Sequence, residues 1–188
     1  MPIDLTRSVL VILIPGAVAV APWLLWLLLY TDATLGYVEK YSTVANTVSF
    51  AVAAIAGLVC ETLGSWIEVR WDEEREKEYD VMTNWYAYLA RTNSPEPVGH
   101  RYLSRLATMF YFELSMLFAI IPFSIGAAVL VYLRFPQHDA LLASLIVVVA
   151  LIVGAWFRFN AKETHRVLCL TRLKLNKLVA QSERRIAA

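Results

Sequence analysis

The chain has 188 residues, 59% of them hydrophobic and 18% charged, with a net charge of +1 at pH 7; soluble domains average ~45–50% apolar and ~25% charged. With a mean hydropathy of +0.54, this composition excludes a disordered chain and a strongly basic nucleic-acid binder, and two cysteines are too few for a disulfide scaffold. One domain is expected at this length, and a soluble core could not bury so much apolar surface.

Four apolar stretches are each about long enough to cross a bilayer, which takes ~20 helical residues: about 9–30, 44–67, 107–133 and 140–157. None alternates apolar with polar residues, and bare backbone groups are not tolerated in lipid, so all four are predicted to be helical. The first stretch follows Arg7 like a secretory signal, but it is too long for one. Pro15, Pro22 and the lack of a cleavage site before Trp23–Tyr30 favour a retained, kinked helix. The expected fold is therefore all-α: a polytopic integral membrane protein, a four-transmembrane-helix bundle with cytoplasmic helical extensions forming one domain over residues 1–188.

Basic residues orient it. Arg7, six residues of the second connection (Arg70 to Arg105) and eight of the tail (Arg158 to Arg185) fall on one side, leaving Lys40 and Arg134 on the other. The positive-inside rule then puts both termini and the middle connection in the cytoplasm of a plasma or bacterial inner membrane. Tyr30, Tyr37, Tyr41 and Tyr132 are expected at the outer interface, and Trp66, Trp71 and Trp156 at the inner one.

Past the second span, a cytoplasmic helix is predicted over about 68–92, with Asp72/Arg75 and Glu73/Lys77 at helix-pairing distances; Asn93–Gly99 breaks it, and a short helix from His100 leads into the third span. After the fourth span an amphipathic helix is predicted over about 160–186, its apolar side drawn by Val167, Leu168, Leu170, Leu173, Leu175, Leu178 and Val179. Residues 72–80 carry six acids and two bases, whereas the tail from Arg158 carries eight bases and two acids. Electrostatic contact is expected between Asp72, Glu73, Glu74 and Glu76 and the tail residues Arg166, Arg172, Lys174 and Lys177, within or between subunits. Solvated faces, with the tail drawn to anionic lipid, are the alternative.

Glu61 and Glu113 fall inside spans, where a charge costs ~2.5–3.5 kcal/mol on insertion scales. Glu61 belongs to a stripe at three- and four-residue steps: Ser49, Ala53, Gly57, Glu61, Gly64 or Ser65, Glu68, Asp72. Its small members Ser49, Ala53, Gly57, Gly64 and Ser65 form a helix-packing face. Glu113, Leu117, Ile120, Ser124 and Ala128 trace a less polar stripe on the third span. The acids either pair with Arg101, Arg105, His100 or a backbone group, or line a water-filled path between subunits.

Enzyme signatures are missing. No metal-ligand spacing, phosphate loop or nucleophile elbow occurs, and no cofactor or metal is expected. Cys60 reads as a small core residue and Cys169 as a tail residue on the reducing side. Arg158 and His165, seven apart, resemble the Arg-x(4–6)-His motif of helical HEPN-type ribonucleases, over eight residues only; Arg158 is also the positive residue expected at the end of a span, and His165 is read as a surface residue of the tail. The expected activity is an ion or small-solute pore, or disruption of the membrane potential, by a homo-oligomer in the lipid bilayer, with Glu61, Glu68 and Glu113 setting cation preference. The alternative is a non-conducting scaffold whose acidic helix or basic tail binds a cytoplasmic protein partner, with Trp85, Tyr86, Tyr88 and Leu89 as contacts. Nucleic acid is not an expected partner.

Overall fold

The computed structural model of the chain describes residues 7–89, 98–135 and 139–187. Among these the structure is helical throughout, with no strand. A π-helical turn, Val9–Leu13, opens α1 (Ile14–Tyr30); then follow α2 (Asp32–Lys40), α3 (Ser42–Tyr79), α4 (Val81–Leu89), α5 (Val98–Arg134) and α6 (Asp139–Ala187). Four helical segments are long and apolar enough to cross a membrane: Val9–Tyr30, Ser42–Tyr79, Arg101–Arg134 and Ala140–Lys177.

The π turn has a local cause. Pro15 has no N–H to offer the carbonyl four residues back, and the Ile14 N–H instead reaches the Val9 carbonyl. This widening lies where α1 meets α3. A methyl group built on Gly57 would strike the Ile12 carbonyl, and one on Gly16 would strike the Ala53 carbonyl. Glycine at both positions lets the two backbones touch. Higher in the bundle, α1 packs on α5, where the Trp23 Nε1–H donates to the Pro122 carbonyl at 3.0 Å. Gly126 allows that contact, because a Cβ there would lie 2.9 Å from Pro22 and 3.0 Å from the Trp23 ring.

α5 and α6 form a long antiparallel pair. The apolar part of α6 leans on α5 and on little else: 6% of its apolar window is buried, against 28% for the windows of α1 and α5. Leu141, Leu145, Leu151, Ile152 and Trp156 point away from the protein.

Three small cores stack along the bundle. Ala19, Cys60 and Ala119 join α1, α3 and α5. Below them Trp71, Phe110, Leu114 and Ala161 join α3, α5 and α6. At the polar base Tyr79, Val81 and Cys169 join the α3–α4 corner to α6.

The structure corrects three expectations. The helix predicted over 68–92 breaks at Asp80, which takes the left-handed conformation (φ 47°, ψ 55°). Aspartate tolerates that conformation, and the buried Asn84 side chain donates to the Tyr79 and Asp80 carbonyls at 2.8 and 3.0 Å, satisfying groups the break exposes. Trp71, expected to face an interface, instead packs inward: it is 7% exposed and lies against Phe110. The inner face of the tail is set by Ala161, His165, Leu168 and Cys169, whereas Val167 and Leu170 are exposed. The side chains of Leu178 and Val179 lie outside the described residues, as do those of His100, Tyr88 and Leu89.

Candidate functional site

A cluster of polar groups gathers at the base of the bundle, where α3, α5 and α6 run side by side. α3 presents Glu68, Trp71, Asp72 and Arg75, spaced so that all four share one face. α6 presents Ala161, His165, Leu168, Cys169 and Arg172 at the same periodicity, and α5 closes the side with Phe110, Tyr111 and Leu114. His165 is 1% exposed. The Trp71 and Phe110 rings lie 5.9 and 5.2 Å from its imidazole and wall it from water.

Both imidazole nitrogens are engaged by α3. The Arg75 guanidinium lies 2.9 Å from His165 Nδ1. Since arginine only donates, Nδ1 is the acceptor, and the proton of the neutral ring sits on Nε2. That Nε2–H donates to Asp72 Oδ1 at 2.8 Å. Arg75 also donates to the Lys162 carbonyl at 3.1 Å, which ties it to the backbone of α6. The histidine is thus held between a cation on one nitrogen and a carboxylate on the other.

Cys169, one turn along α6, is 2% exposed, and its Sγ lies 3.8 Å from Nε2. Burial pushes this thiol up to about 11, and the Asp72 charge adds to that shift. Asp72 Oδ1, His165 Nε2 and Cys169 Sγ therefore meet at one point, all within 4.8 Å of one another. In a nucleophile–base–acid relay the imidazole uses different nitrogens for its two partners. Here carboxylate and thiol converge on the same nitrogen, which is how ligands surround a common centre.

A second polar layer surrounds the first. Tyr111 donates to Glu68 at 2.9 Å, and Arg7 lies over the Tyr111 ring, 5.4 Å from its centroid. The Arg172 guanidinium stacks 4.3 Å from the Trp85 ring centroid. Burial lowers the Arg172 pKa from the usual arginine value, while Asp72 and Glu68 pull the other way. Asp72 and Glu68 thus share the junction with Arg75, Arg172 and, at its edge, Arg7.

The other residues singled out in the sequence are distributed as follows. Ala53, Gly57 and Gly64 are buried within the chain: Gly57 lies against α1 and Gly64 against Leu114 of α5. Ser49, Glu61 and Ser65 are half-buried along the edge of that face. Ser65 donates to the Thr62 carbonyl of its own helix. Glu61 has no hydrogen-bond or ion-pair partner among the described residues. Glu113 bonds Thr164 on α6 rather than Arg101 or Arg105, which are exposed, and its second oxygen is buried without a partner.

Of the charged set, Asp72 and Arg172 enter the junction. Glu76 accepts the Met82 N–H at 3.0 Å, across the Asp80 corner. Glu73, Glu74, Lys174 and Lys177 are exposed, and Arg166 pairs at 3.7 Å with Glu163 of its own helix, an exposed contact of small worth, and also hydrogen-bonds to Tyr79 of α3. α3 and α6 meet, but chiefly through Arg75, Asp72 and His165. Arg158 is exposed while His165 is enclosed, so the eight-residue ribonuclease-like motif does not present its two residues together. His165 as a surface residue is overturned. The available signal was the His165-x3-Cys169 spacing, which aligns a ligand pair on one helical face; Asp72 is 93 positions from His165 and nothing local joins them.

No protein-family model, curated protein or solved structure matches the chain.

Proposed function

We propose that the chain is a four-span membrane protein with both termini in the cytoplasm, and that several copies assemble into a pore for cations or small polar solutes. One observation carries this reading: Glu61 sits in an apolar helix, half-buried, with no partner among the described residues. A carboxylate in that position needs water or another copy beside it. Ala54, Glu61, Ser65, Glu68 and Asp72 continue as a half-buried edge along α3, a run of small and polar residues leading to the polar base.

The path lies between copies. An open apolar groove of about 420 Å³ between α1, α3 and α5 is walled by side chains such as Val20, Val59, Leu63 and Phe118, and offers an ion nothing. The bare face of α6 supplies a surface for contact between subunits. In liposomes, Glu61→Gln is expected to reduce cation flux severalfold without dissociating the oligomer. Glu68→Gln should act less, since Tyr111 already holds that carboxylate. Equal flux through wild type and Glu61→Gln would reject the reading.

The scaffold reading keeps one supporting observation: Met82 and Tyr86 are 53% and 65% exposed on α4. Trp85 no longer counts towards it, because Arg172 occupies its ring. A partner bound there would be lost on Tyr86→Ala with flux unaffected.

A further inference from the structure

We propose that Asp72, His165 and Cys169 form a binding site for a zinc-class divalent cation, with Arg75 as the competitor that holds His165 when the cation is absent.

The donor set selects the ion. A thiol sulfur and an imidazole nitrogen favour zinc over calcium or magnesium, and one carboxylate is common beside them. The spacing is close to what zinc needs. Bonds of ~2.0–2.3 Å arranged tetrahedrally put ligand atoms ~3.3–3.8 Å apart. The Cys169–His165 separation of 3.8 Å is already there. The Asp72–His165 separation of 2.8 Å is a hydrogen bond, and must open by ~0.5 Å to reach that range. All three atoms are carried by two rigid helices, and His165 and Cys169 lie one turn apart on the same one. Three protein ligands leave a fourth position for water.

Arg75 sets the condition for binding. The cation must take the Nε2 lone pair, so the ring proton has to move to Nδ1, where the Arg75 guanidinium now donates. Binding therefore displaces the guanidinium, shifts the imidazole from the Nε2–H to the Nδ1–H tautomer, and releases the Cys169 thiol proton to solvent. The ion adds two positive charges and the thiolate one negative charge, a net gain of one positive charge in a site that already holds Arg75 and Arg172. Departure of Arg75 from the ring removes most of that excess. The two arrangements exclude each other, and they couple the α3–α6 contact to metal.

The experiment uses the full-length, untagged protein in detergent, stripped with a chelator and dialysed against zinc alone. About one zinc per chain is expected, with cobalt in its place giving a thiolate-to-metal charge-transfer band. Cys169→Ser should abolish the band and weaken zinc binding about tenfold or more, and the isosteric Asp72→Asn should weaken it comparably. Arg75→Ala, freed of the competitor, should bind zinc about tenfold more tightly. A cobalt complex without the thiolate band, full-strength zinc binding by both Cys169→Ser and Asp72→Asn, or no tightening in Arg75→Ala would overturn the proposal. Having two independent ligand variants means that misfolding of one still leaves a decisive result.

Discussion

A methyl group on Gly57 has no room, because its nearest neighbour would be the Ile12 carbonyl of another helix. Backbone cannot swing aside as a side chain can, so α1 and α3 would have to separate. Gly57→Ala is expected to cost about 1–3 kcal/mol, the usual range for overpacking, measured by unfolding in graded mixtures of mild and denaturing detergent. Gly36, with nothing within 4 Å of its would-be Cβ, is the control: Gly36→Ala should be neutral or stabilise α2 by up to ~1 kcal/mol. The small-residue stripe was legible in the sequence, since Ala53, Gly57 and Gly64 recur at helical steps. Its partner was not. Small residues announce close approach but not which helix approaches: here it is α1 of the same chain, widened by the π turn before Pro15, for Ala53 and Gly57, and α5 for Gly64.

At the scale of elements, the corner between α3 and α4 was invisible because nothing local breaks residues 68–90: there is no glycine or proline among them. The break is imposed from 92 positions away. Asn176 of α6 donates to the Asn84 carbonyl at 3.1 Å and to its side-chain oxygen at 2.8 Å, while the Asn84 amide covers the carbonyls at the turn. Asn84→Ala should therefore cost at least ~2 kcal/mol, since it strands buried polar groups. Asp80→Gly should be neutral or slightly stabilising in its left-handed position, whereas Asp80→Val should cost about 1–2 kcal/mol. The same detergent titration reads both. The tail was misread for a related reason. Its apolar residues outline a plausible inner face, but the face that packs includes His165 and Cys169, and their partners Asp72 and Arg75 are on a distant helix. Pattern reading weights apolar residues, so a face closed by hydrogen bonds escapes it.

For the whole molecule, the four long apolar helices were legible because apolar runs of that length leave few other choices. The polar base was not, because it is assembled from four helices whose contributions are separately unremarkable in sequence. Its integrity depends on the end of the described tail: Arg172 stacks on Trp85, Leu173 packs against the Tyr79 cluster, and Asn176 holds Asn84. Truncation after Thr171 removes all three. The span bundle should persist by circular dichroism, while chymotryptic cleavage at Trp85 and Tyr86 should accelerate at least tenfold as α4 loses its anchors. Unchanged cleavage would mean that α4 is held by something other than α6.

α6 has one more consequence. It is a single unbroken rod of 49 residues, about 74 Å long at ~1.5 Å per residue. From Phe157, where its apolar window gives way to charge, the rod runs ~45 Å to Ala187, with His165 only ~12 Å along that arm. A ten-degree pivot about Phe157 would carry the far end through ~8 Å but His165 through only ~2 Å. Two hydrogen bonds near 2.8 Å cannot follow even that smaller excursion. The histidine clamp thus sits close to the fulcrum of a long lever, and the contacts of Arg172, Leu173 and Asn176 further along the arm would have to yield with it before the tip could sweep.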